Sequence, residues 1–220
     1  MPEAVIVSVA RSPIGRALKG SLAGMRPDDL LAQMVRAALD QVPELDPREI
    51  DDMMIGCVQP GGEADFTIAR VVAVLLGMDH LPGTTVNRAC ASSLQTTRMA
   101  AHAIWSREGE AFVSGGVECV SRYPAHYLTG DAVVPHPEFV AAGRREAARV
   151  AAGEPWSDPR EAGLMPDVYL AMGQTAENVA QARGISRAEQ DEFGVRSQNL
   201  AEAAIASGFW PADITPVTLP

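Results

Sequence analysis

The chain has 220 residues and a formal net charge of −10, with 47% hydrophobic and 5% aromatic residues. This length and apolar content suffice for one large domain, or a domain with a subdomain, whose core is built from small aliphatic side chains. The acidic balance argues against a nucleic-acid binder, because neutralising phosphates requires a concentrated basic face.

The cysteines and the N-terminus indicate the compartment. Cys57, Cys90 and Cys119 are widely spaced and have no CxxC or histidine partners at metal-ligand spacing, so we expect neither a disulfide framework nor a metal site. The apolar stretch near the N-terminus is too short for a secretion signal or a membrane span. We therefore expect a soluble, cytoplasmic protein with no membrane association.

Strand and helix patterns alternate in chain order over the first half of the sequence. β-branched and apolar runs predict strands at 4–9, 53–58, 84–86 and 111–113, the last running into Gly115 and Gly116. Helical spacing of apolar residues predicts helices at 28–39, 66–76 and 91–105. The order β-α-β-α-β-α-β predicts helices layered on a mostly parallel sheet.

The pattern changes after about Tyr123. Residues up to 166 are rich in proline and charge, which predicts a long excursion with short helices. Helices are predicted again at 174–182 and 186–207, where Ser186 and Glu189 form a capping-box signature, and a short strand is predicted at 213–219. The sequence thus divides into a layered domain, residues 1–122, and a mainly helical region, residues 123–220.

Cys90 is a candidate nucleophile because it lies between a predicted strand and a predicted helix. The free N–H groups and the dipole at a helix N-terminus favour a thiolate over a thiol, and nucleophilic catalysis at neutral pH requires that form. The alternative is that Cys90 is a small buried apolar residue, as most free cysteines are.

Five segments, in order and across nearly the whole chain, resemble the N-terminal part of a thiolase. Thiolases are acyl-CoA acyltransferases that make or cleave 3-oxoacyl-CoA. The resemblance implies a thiolase-like layered α/β fold, in which one βαβαβαββ half has a mostly parallel sheet and carries a mainly helical loop-domain insertion. The matching segments are Arg11–Arg16 with Lys19–Ala23, then Val86–Gln95, Ser114–Pro124, Met172–Ala180, and last Ile185–Phe193 with Ser197 and Gln198.

The resemblance assigns Cys90 as the nucleophile, which takes the acyl group from one CoA thioester and passes it to a second thioester or to CoA. Its own backbone N–H is the expected oxyanion donor. Leu164 and Met172 match positions that line the pantetheine arm, with ordinary helix packing as the alternative for both. No cofactor is expected beyond CoA thioesters as substrates. A homodimer or homotetramer, with Gly83–Asn87 at a dimer edge, and a place in fatty-acid or lipid metabolism are also implied.

The residues around Cys90 have structural interpretations as well. Asn87 and Arg88 are at least as consistent with satisfying a strand end as with catalysis. We expect Gly115 and Gly116 to allow close backbone packing beneath the site. Glu118 is expected to be a buried acid bonded to backbone and not a general base, and Cys57 and Cys119 are expected to pack in the core. Ser93 stands where the family often has glycine.

One departure from the family concerns the second catalytic half. The family's His-Pro-x-Gly and Cys-x-Gly-Gly-Gly segments do not occur in this sequence, and none of the four histidines, His80, His102, His126 and His136, matches the catalytic one. His102 lies about 18 Å along the predicted helix from the thiol, at ~1.5 Å per residue. We therefore expect a truncated chain without the C-terminal half, inactive alone, with a large exposed apolar patch.

Two other functions fit parts of the pattern. A decarboxylating β-ketoacyl synthase would share the fold and the cysteine nucleophile, although the Met172–Ala180 segment favours a thiolase. A non-catalytic thiolase-like protein that binds CoA or lipid is the alternative from a different class.

Overall fold

A computed structural model describes residues 2–125 and 134–220. Its strands are β1 (Asp52–Gly56), β2 (Gly83–Val86) and β3 (Phe112–Gly116). Its α-helices are α1 (Pro27–Leu39), α2 (Ile68–Leu75), α3 (Ser92–Ser106), α4 (Pro137–Ala152), α5 (Met172–Arg183), α6 (Arg187–Ala206) and α7 (Phe209–Asp213). Short 3-10 turns cover Pro47–Glu49, Gly62–Ala64, Val120–Arg122 and Pro159–Ala162.

The three strands form a parallel sheet in the order β2-β1-β3. Met54 of β1 aligns with Thr84 of β2 on one side and with Ser114 of β3 on the other. As the central strand, β1 is buried from Met53 to Gly56. This explains its uninterrupted apolar sequence, which is typical of a parallel strand covered on both faces. The predicted parallel α/β architecture is confirmed.

Alternate residues of β1 point to opposite faces of the sheet. Met53 and Ile55 are fully buried and belong to one apolar cluster with Ile68 and Val72 of α2 and Val35 of α1. On the other face, a Cβ built on Gly56 would lie 2.7 Å from the Cβ of Ser92, so α3 approaches the strand backbone closely there. The sheet therefore separates an apolar core from the helix that follows Cys90.

The predicted strand at residues 4–9 does not form. Val5, Ile6, Val7 and Val9 are 65–74% exposed, and the segment pairs with no strand in the described parts of the chain. Its β-branched sequence favours an extended backbone, but a strand also needs a neighbour for its N–H and C=O groups. The Gln41 side chain contacts this segment by donating a hydrogen bond from Nε2 to the Val9 carbonyl at 2.8 Å.

The predicted strand at 213–219 is also wrong, because α7 runs to Asp213 and the following residues are irregular. This segment is held by side chains as well as backbone. The Gln33 amide both donates to the Thr218 carbonyl (3.1 Å) and accepts from the Thr218 N–H (2.8 Å). The Thr215 N–H donates to the Arg11 carbonyl at 2.8 Å. The amide of Gln33 thus replaces the neighbouring strand that the prediction required.

The helix predictions mostly agree with the structure to within two residues. The capping box of α6 is present, with the side chains of Ser186 and Glu189 each bonded to the other residue's backbone N–H. The proline-rich excursion was predicted to hold only short helices, but α4 has 16 residues. Pro137 at its first position and Gly153 just after its end delimit it, which are usual boundary residues of a helix.

The chain divides into two compact units, Met1–Thr129 with Phe209–Pro220, and Gly130–Gly208. The first contains the sheet, and the second contains α4, α5 and α6. The predicted boundary at residues 122 and 123 stays a prediction. Among the described residues, none of the helices combines the length and the apolar character that a membrane span requires.

Candidate active site

A five-residue turn between β2 and α3 carries Cys90. Ala89, directly before the cysteine, has a φ of 46°, in the left-handed region that residues other than glycine rarely occupy. The helix begins at Ser92, two residues after Cys90. The thiol is exposed, in contrast to the buried Cys57, so Cys90 is not the small buried apolar residue considered above.

Two side chains hold this turn. Asn87 donates from Nδ2 to the Val58 carbonyl (2.8 Å) and accepts at Oδ1 from the Ala89 N–H (2.9 Å). Ser92 is 4% exposed, and its hydroxyl accepts from the Arg88 N–H (2.8 Å) while it donates to the Ala89 carbonyl (2.6 Å). Both polar groups of Ala89 are therefore bonded to side chains on either side of the cysteine.

The Cys90 backbone N–H makes no hydrogen bond to any residue that the structure describes. The two N–H groups that follow are different, since Ala91 donates to the Arg88 carbonyl and Ser92 to the Ala89 carbonyl, each at 3.1 Å. A free N–H beside an exposed thiol can donate to the oxygen of a carbonyl that the thiol attacks. The geometry thus supports the expected oxyanion donor.

Two glycines form the floor beneath the start of α3. A Cβ built on Gly56 would lie 2.7 Å from both the Ser93 nitrogen and the Ser92 Cβ, and one on Gly116 would lie 3.0 Å from the Ser93 Cβ. Real Cβ atoms essentially never approach to 2.7 Å, so β1 ends in glycine to admit the helix. The predicted packing role fits Gly116, whereas a Cβ on Gly115 would make only an ordinary contact at 3.8 Å.

Glu118 connects the ends of β1 and β3. Its carboxylate accepts from the Val58 N–H (2.7 Å), the Gln59 N–H (3.3 Å) and the Tyr123 hydroxyl (2.6 Å). The predicted bonding to backbone is confirmed, but the predicted burial is wrong, because Glu118 is exposed. Desolvation is the main cause that raises the pKa of Tyr123, and the hydrogen bond to Glu118 is the second cause.

The thiols of the other two cysteines, Cys57 and Cys119, have raised pKa values. Burial, with the nearby Glu118 carboxylate as the second cause, raises the pKa of Cys57 to about 12 and the pKa of Cys119 to about 11. Cys57 packs in the apolar cluster as predicted, while Cys119 is only half-buried. Thiols with such values are almost entirely protonated near neutral pH, and a protonated thiol is a poor nucleophile.

The described histidines have structural contacts of their own. His80 Nε2 lies 3.2 Å from the Pro47 carbonyl oxygen, and His102 packs against Trp105 with ring centroids 5.4 Å apart. His136 caps α4 by accepting from a backbone N–H. His126 lies outside the described residues. Within residues 2–125 and 134–220, no three His, Cys, Asp or Glu side chains are grouped as a metal site would require.

The two positions matched to the pantetheine arm, Leu164 and Met172, lie in the second unit and are 45% and 77% exposed. Met172 is the first residue of α5, and Leu164 follows a 3-10 turn that ends at Gly163. Both side chains expose apolar surface, and the choice between contact with an apolar ligand group and ordinary helix packing stays a prediction.

A polar cluster fixes α5 against α4 inside the second unit. Asn178, 5% exposed, accepts from Arg149 (2.7 Å) and donates to Glu146 (3.0 Å), which in turn pairs with Arg149 (2.7 Å). The hydrogen bond from Arg149 lowers the pKa of Glu146. The helix that begins at Met172 is thus oriented by an ion pair bridged by an amide.

The sequence did not predict the roles of two residues at the Cys90 turn and of one residue in the second unit. The roles of Ser92 as a hydrogen-bonding link and of Gly56 as the closest point of helix approach come from three-dimensional proximity, as does the Asn178 bridge. A weak signal existed for Gly56, since a glycine that ends an apolar strand often marks a close backbone approach.

Comparisons with known proteins identify the family of this chain. A family model described as "Thiolase, N-terminal domain" matches residues 4–220. The chain is 38% identical to a 3-ketoacyl-CoA thiolase of Bacillus subtilis over 99% of its own length and 49% of that protein. It is 39% identical to a β-ketoadipyl-CoA thiolase of Pseudomonas knackmussii, covering 99% of the chain and 52% of the relative.

A solved structure shows the same similarity to part of a longer protein. The crystal structure of the Bacillus anthracis acetyl-CoA acetyltransferase matches with a TM-score of 0.74 and 30% identity, over 99% of this chain and 51% of that one. The chain therefore spans about half the length of the curated relatives that it matches. Because the thiolase N-terminal model covers nearly every residue, the chain belongs to the thiolase family.

Proposed function

We propose that this chain supplies the acyl-accepting part of a thiolase, an acyl-CoA acyltransferase that makes or cleaves 3-oxoacyl-CoA. The observation that carries the proposal is the exposed Cys90 on a strained turn at the start of α3, beside a free backbone N–H. The named relatives act on CoA thioesters of 3-oxo acids, which agrees with this chemistry.

In the proposed first step, the Cys90 sulfur attacks the carbonyl carbon of an acyl-CoA. A carbon–sulfur bond to Cys90 forms, the carbon–sulfur bond to CoA breaks, and the proton of the Cys90 thiol ends on the departing CoA. The Cys90 N–H donates to the oxyanion that develops on the carbonyl oxygen. The product is again a thioester, so the acyl group stays reactive for the second step.

In the second step the acyl group passes from Cys90 to CoA, or to the α-carbon of a second acyl-CoA that has lost a proton. The described histidines are engaged elsewhere, at Pro47, at Trp105 and at the start of α4. We propose that the proton transfers need groups of the kind found in a thiolase C-terminal half. Without them, the chain would accept an acyl group slowly and would not complete turnover.

Leu164 and Met172 are proposed to contact the pantetheine arm, because both expose apolar side chains in the helical unit. We also propose a cytoplasmic protein in fatty-acid or lipid metabolism, with acyl-CoA and CoA as substrates and no further cofactor. Assembly as a homodimer or homotetramer would use the Gly83–Asn87 edge, because β2 is an outer strand of the described sheet.

The test is mass spectrometry after incubation with acetyl-CoA or a 3-oxoacyl-CoA, for the chain alone and mixed with a thiolase C-terminal half. We expect an acyl adduct on Cys90, more abundant in the mixture, and none in Cys90→Ala. If binding of CoA is measurable but no adduct appears in either sample, the proposal is wrong and a non-catalytic binding protein is supported. Acylation that depends on decarboxylation of a malonyl thioester partner would indicate a β-ketoacyl synthase.

A further inference from the structure

The turn before Cys90 adopts a conformation that its own sequence disfavours. Ala89 has a φ of 46° although it carries a Cβ, and left-handed backbone at such a residue persists only where surrounding contacts fix it. A glycine would adopt this conformation without strain, yet the chain places alanine here. The contacts that hold Ala89 should therefore control where Cys90 points.

Ala89 is held by one side chain on each side of the cysteine and by the Ser92 backbone N–H, which donates to its carbonyl at 3.1 Å. Asn87 binds the Ala89 N–H at 2.9 Å, and Ser92 binds the Ala89 carbonyl at 2.6 Å. The orientation of the Asn87 amide is fixed by chemistry, because a backbone N–H can only donate and the Val58 carbonyl can only accept. Each side chain also makes a second bond, Asn87 to Val58 and Ser92 to the Arg88 N–H.

The second bond of Asn87 anchors the turn to the end of β1, and the second bond of Ser92 closes the turn on itself at the Arg88 N–H. Val58, which accepts from Asn87, is itself held through its N–H by Glu118 at 2.7 Å. Ser92 is 4% exposed and its Cβ packs on Gly56, so the side chain starts from a fixed position at the first turn of α3. A continuous set of hydrogen bonds thus runs from the ends of β1 and β3 through Asn87 to the Ala89 N–H, while Ser92 holds the Ala89 carbonyl from the start of α3.

We propose that Asn87 and Ser92 are positioning residues, which hold Ala89 in its left-handed conformation and so keep the Cys90 thiol and its free N–H directed outwards together. This inference rests on the proposed role of Cys90 as nucleophile, and it adds the groups that set its orientation. Neither residue transfers a proton or touches the acyl group. Each acts through the backbone of Ala89.

The experiment measures alkylation by iodoacetamide at pH 7.5 of each thiol in the native chain, mapped by mass spectrometry. Asn87→Ala is the primary variant because Asn87 is exposed and its loss leaves the core intact. Without the bond from Asn87, Ala89 should leave its left-handed conformation, so the thiol is no longer held outwards. Alkylation of Cys90 should then slow about fivefold, and Cys57 and Cys119 should not react faster. Ser92→Ala should act in the same direction.

Thr96→Val is the matched control. Thr96 is also a buried hydroxyl on α3, bonded to the Ser93 and Gly115 carbonyls at 2.8 and 3.1 Å, but it does not contact Ala89. In Thr96→Val, the rate of Cys90 alkylation should stay within about twofold of the rate in the parent chain. An unchanged or faster Cys90 rate in Asn87→Ala overturns the proposal. Faster reaction of all three cysteines also overturns it, because that result indicates general loosening. The assay contains no CoA, so its failure is distinct from failure of the acyltransferase proposal.

Discussion

Two cysteines follow neighbouring parallel strands and have opposite environments. Cys57 comes directly after β1, points into the core and is 1% exposed, whereas Cys90 comes four residues after β2 and is exposed. The difference in exposure arises from the backbone conformation between the end of each strand and its cysteine. After β1 the strand pairing continues through Cys57, whose N–H donates to the Val86 carbonyl at 3.1 Å, so its side chain keeps the inward face of Met53 and Ile55. After β2 the backbone turns at the left-handed Ala89, and α3 begins two residues after Cys90.

The comparison shows that the end of a strand does not by itself make a reactive site. Burial raises the pKa of Cys57 to about 12, which keeps it protonated. Cys90 instead has short neighbours, a free N–H and a turn held by side-chain hydrogen bonds. The same residue type therefore serves packing in one place and is available for chemistry in the other.

The largest expected effect comes from opening the core beside Cys57. Ile55 is fully buried in the cluster between the sheet and the first two helices, so Ile55→Ala should lower the free energy of unfolding by about 2–5 kcal/mol. Urea denaturation followed by circular dichroism measures this. Leu94→Ala is the control, because Leu94 is 72% exposed on α3 and should change stability by less than about 0.5 kcal/mol. Equal losses in the two variants would contradict the assigned core.

A smaller effect is expected at the floor of the Cys90 turn. Gly56→Ala places a Cβ 2.7 Å from atoms of Ser92 and Ser93, which should cost about 1–3 kcal/mol and displace the start of α3. Gly24→Ala is the matched control, since nothing lies within 4 Å of the added Cβ. Urea denaturation and Cys90 alkylation should both change in Gly56→Ala only. A neutral result at Gly56 would show that the helix does not rest on β1.

The smallest expected effect is a loss of stability in alkali. The folded pKa of Cys57, about 12, is above the unfolded value near ~8.5, so the folded chain binds more protons over that interval. The resulting stability is fully present below pH ~8.5 and is lost as the pH rises towards 12. Melting temperatures between pH 8 and 11 should fall less in Cys57→Ala than in the parent chain. Parallel falls in both proteins would contradict the raised pKa.

Much of the fold could be predicted because it depends on local patterns. The apolar run of β1, the helical spacing of α1 and the Ser186–Glu189 cap carry their structure in the sequence itself. The segments at 4–9 and 213–219 could not be predicted in this way, because a strand depends on a distant partner. The sequences of both segments favour an extended backbone. In the structure, however, the side chains of Gln41 and Gln33 bond to these segments in place of neighbouring strands.

The site shows the same division between local and distant information. The place of Cys90 just before a helix was predicted and is confirmed, while its role as nucleophile stays a prediction; Glu118 was correctly predicted to bind backbone. The left-handed Ala89 and the bonds from Asn87 and Ser92 could not be derived, because alanine gives no local signal for a positive φ. The backbone partners of Glu118 could not be named from the sequence, because Val58 and Gln59 lie about 60 residues away beyond another strand.

The most direct test of the account compares the three thiols of the native chain in a single alkylation time course, with and without acetyl-CoA. We predict that Cys90 reacts at least about 100-fold faster than Cys57 at pH 7.5, because thiolate is the reactive form and Cys57 is held protonated. Acetyl-CoA should slow the reaction of Cys90 and leave the other two thiols unchanged. Comparable rates for Cys57 and Cys90, or no effect of acetyl-CoA on Cys90, would contradict the account.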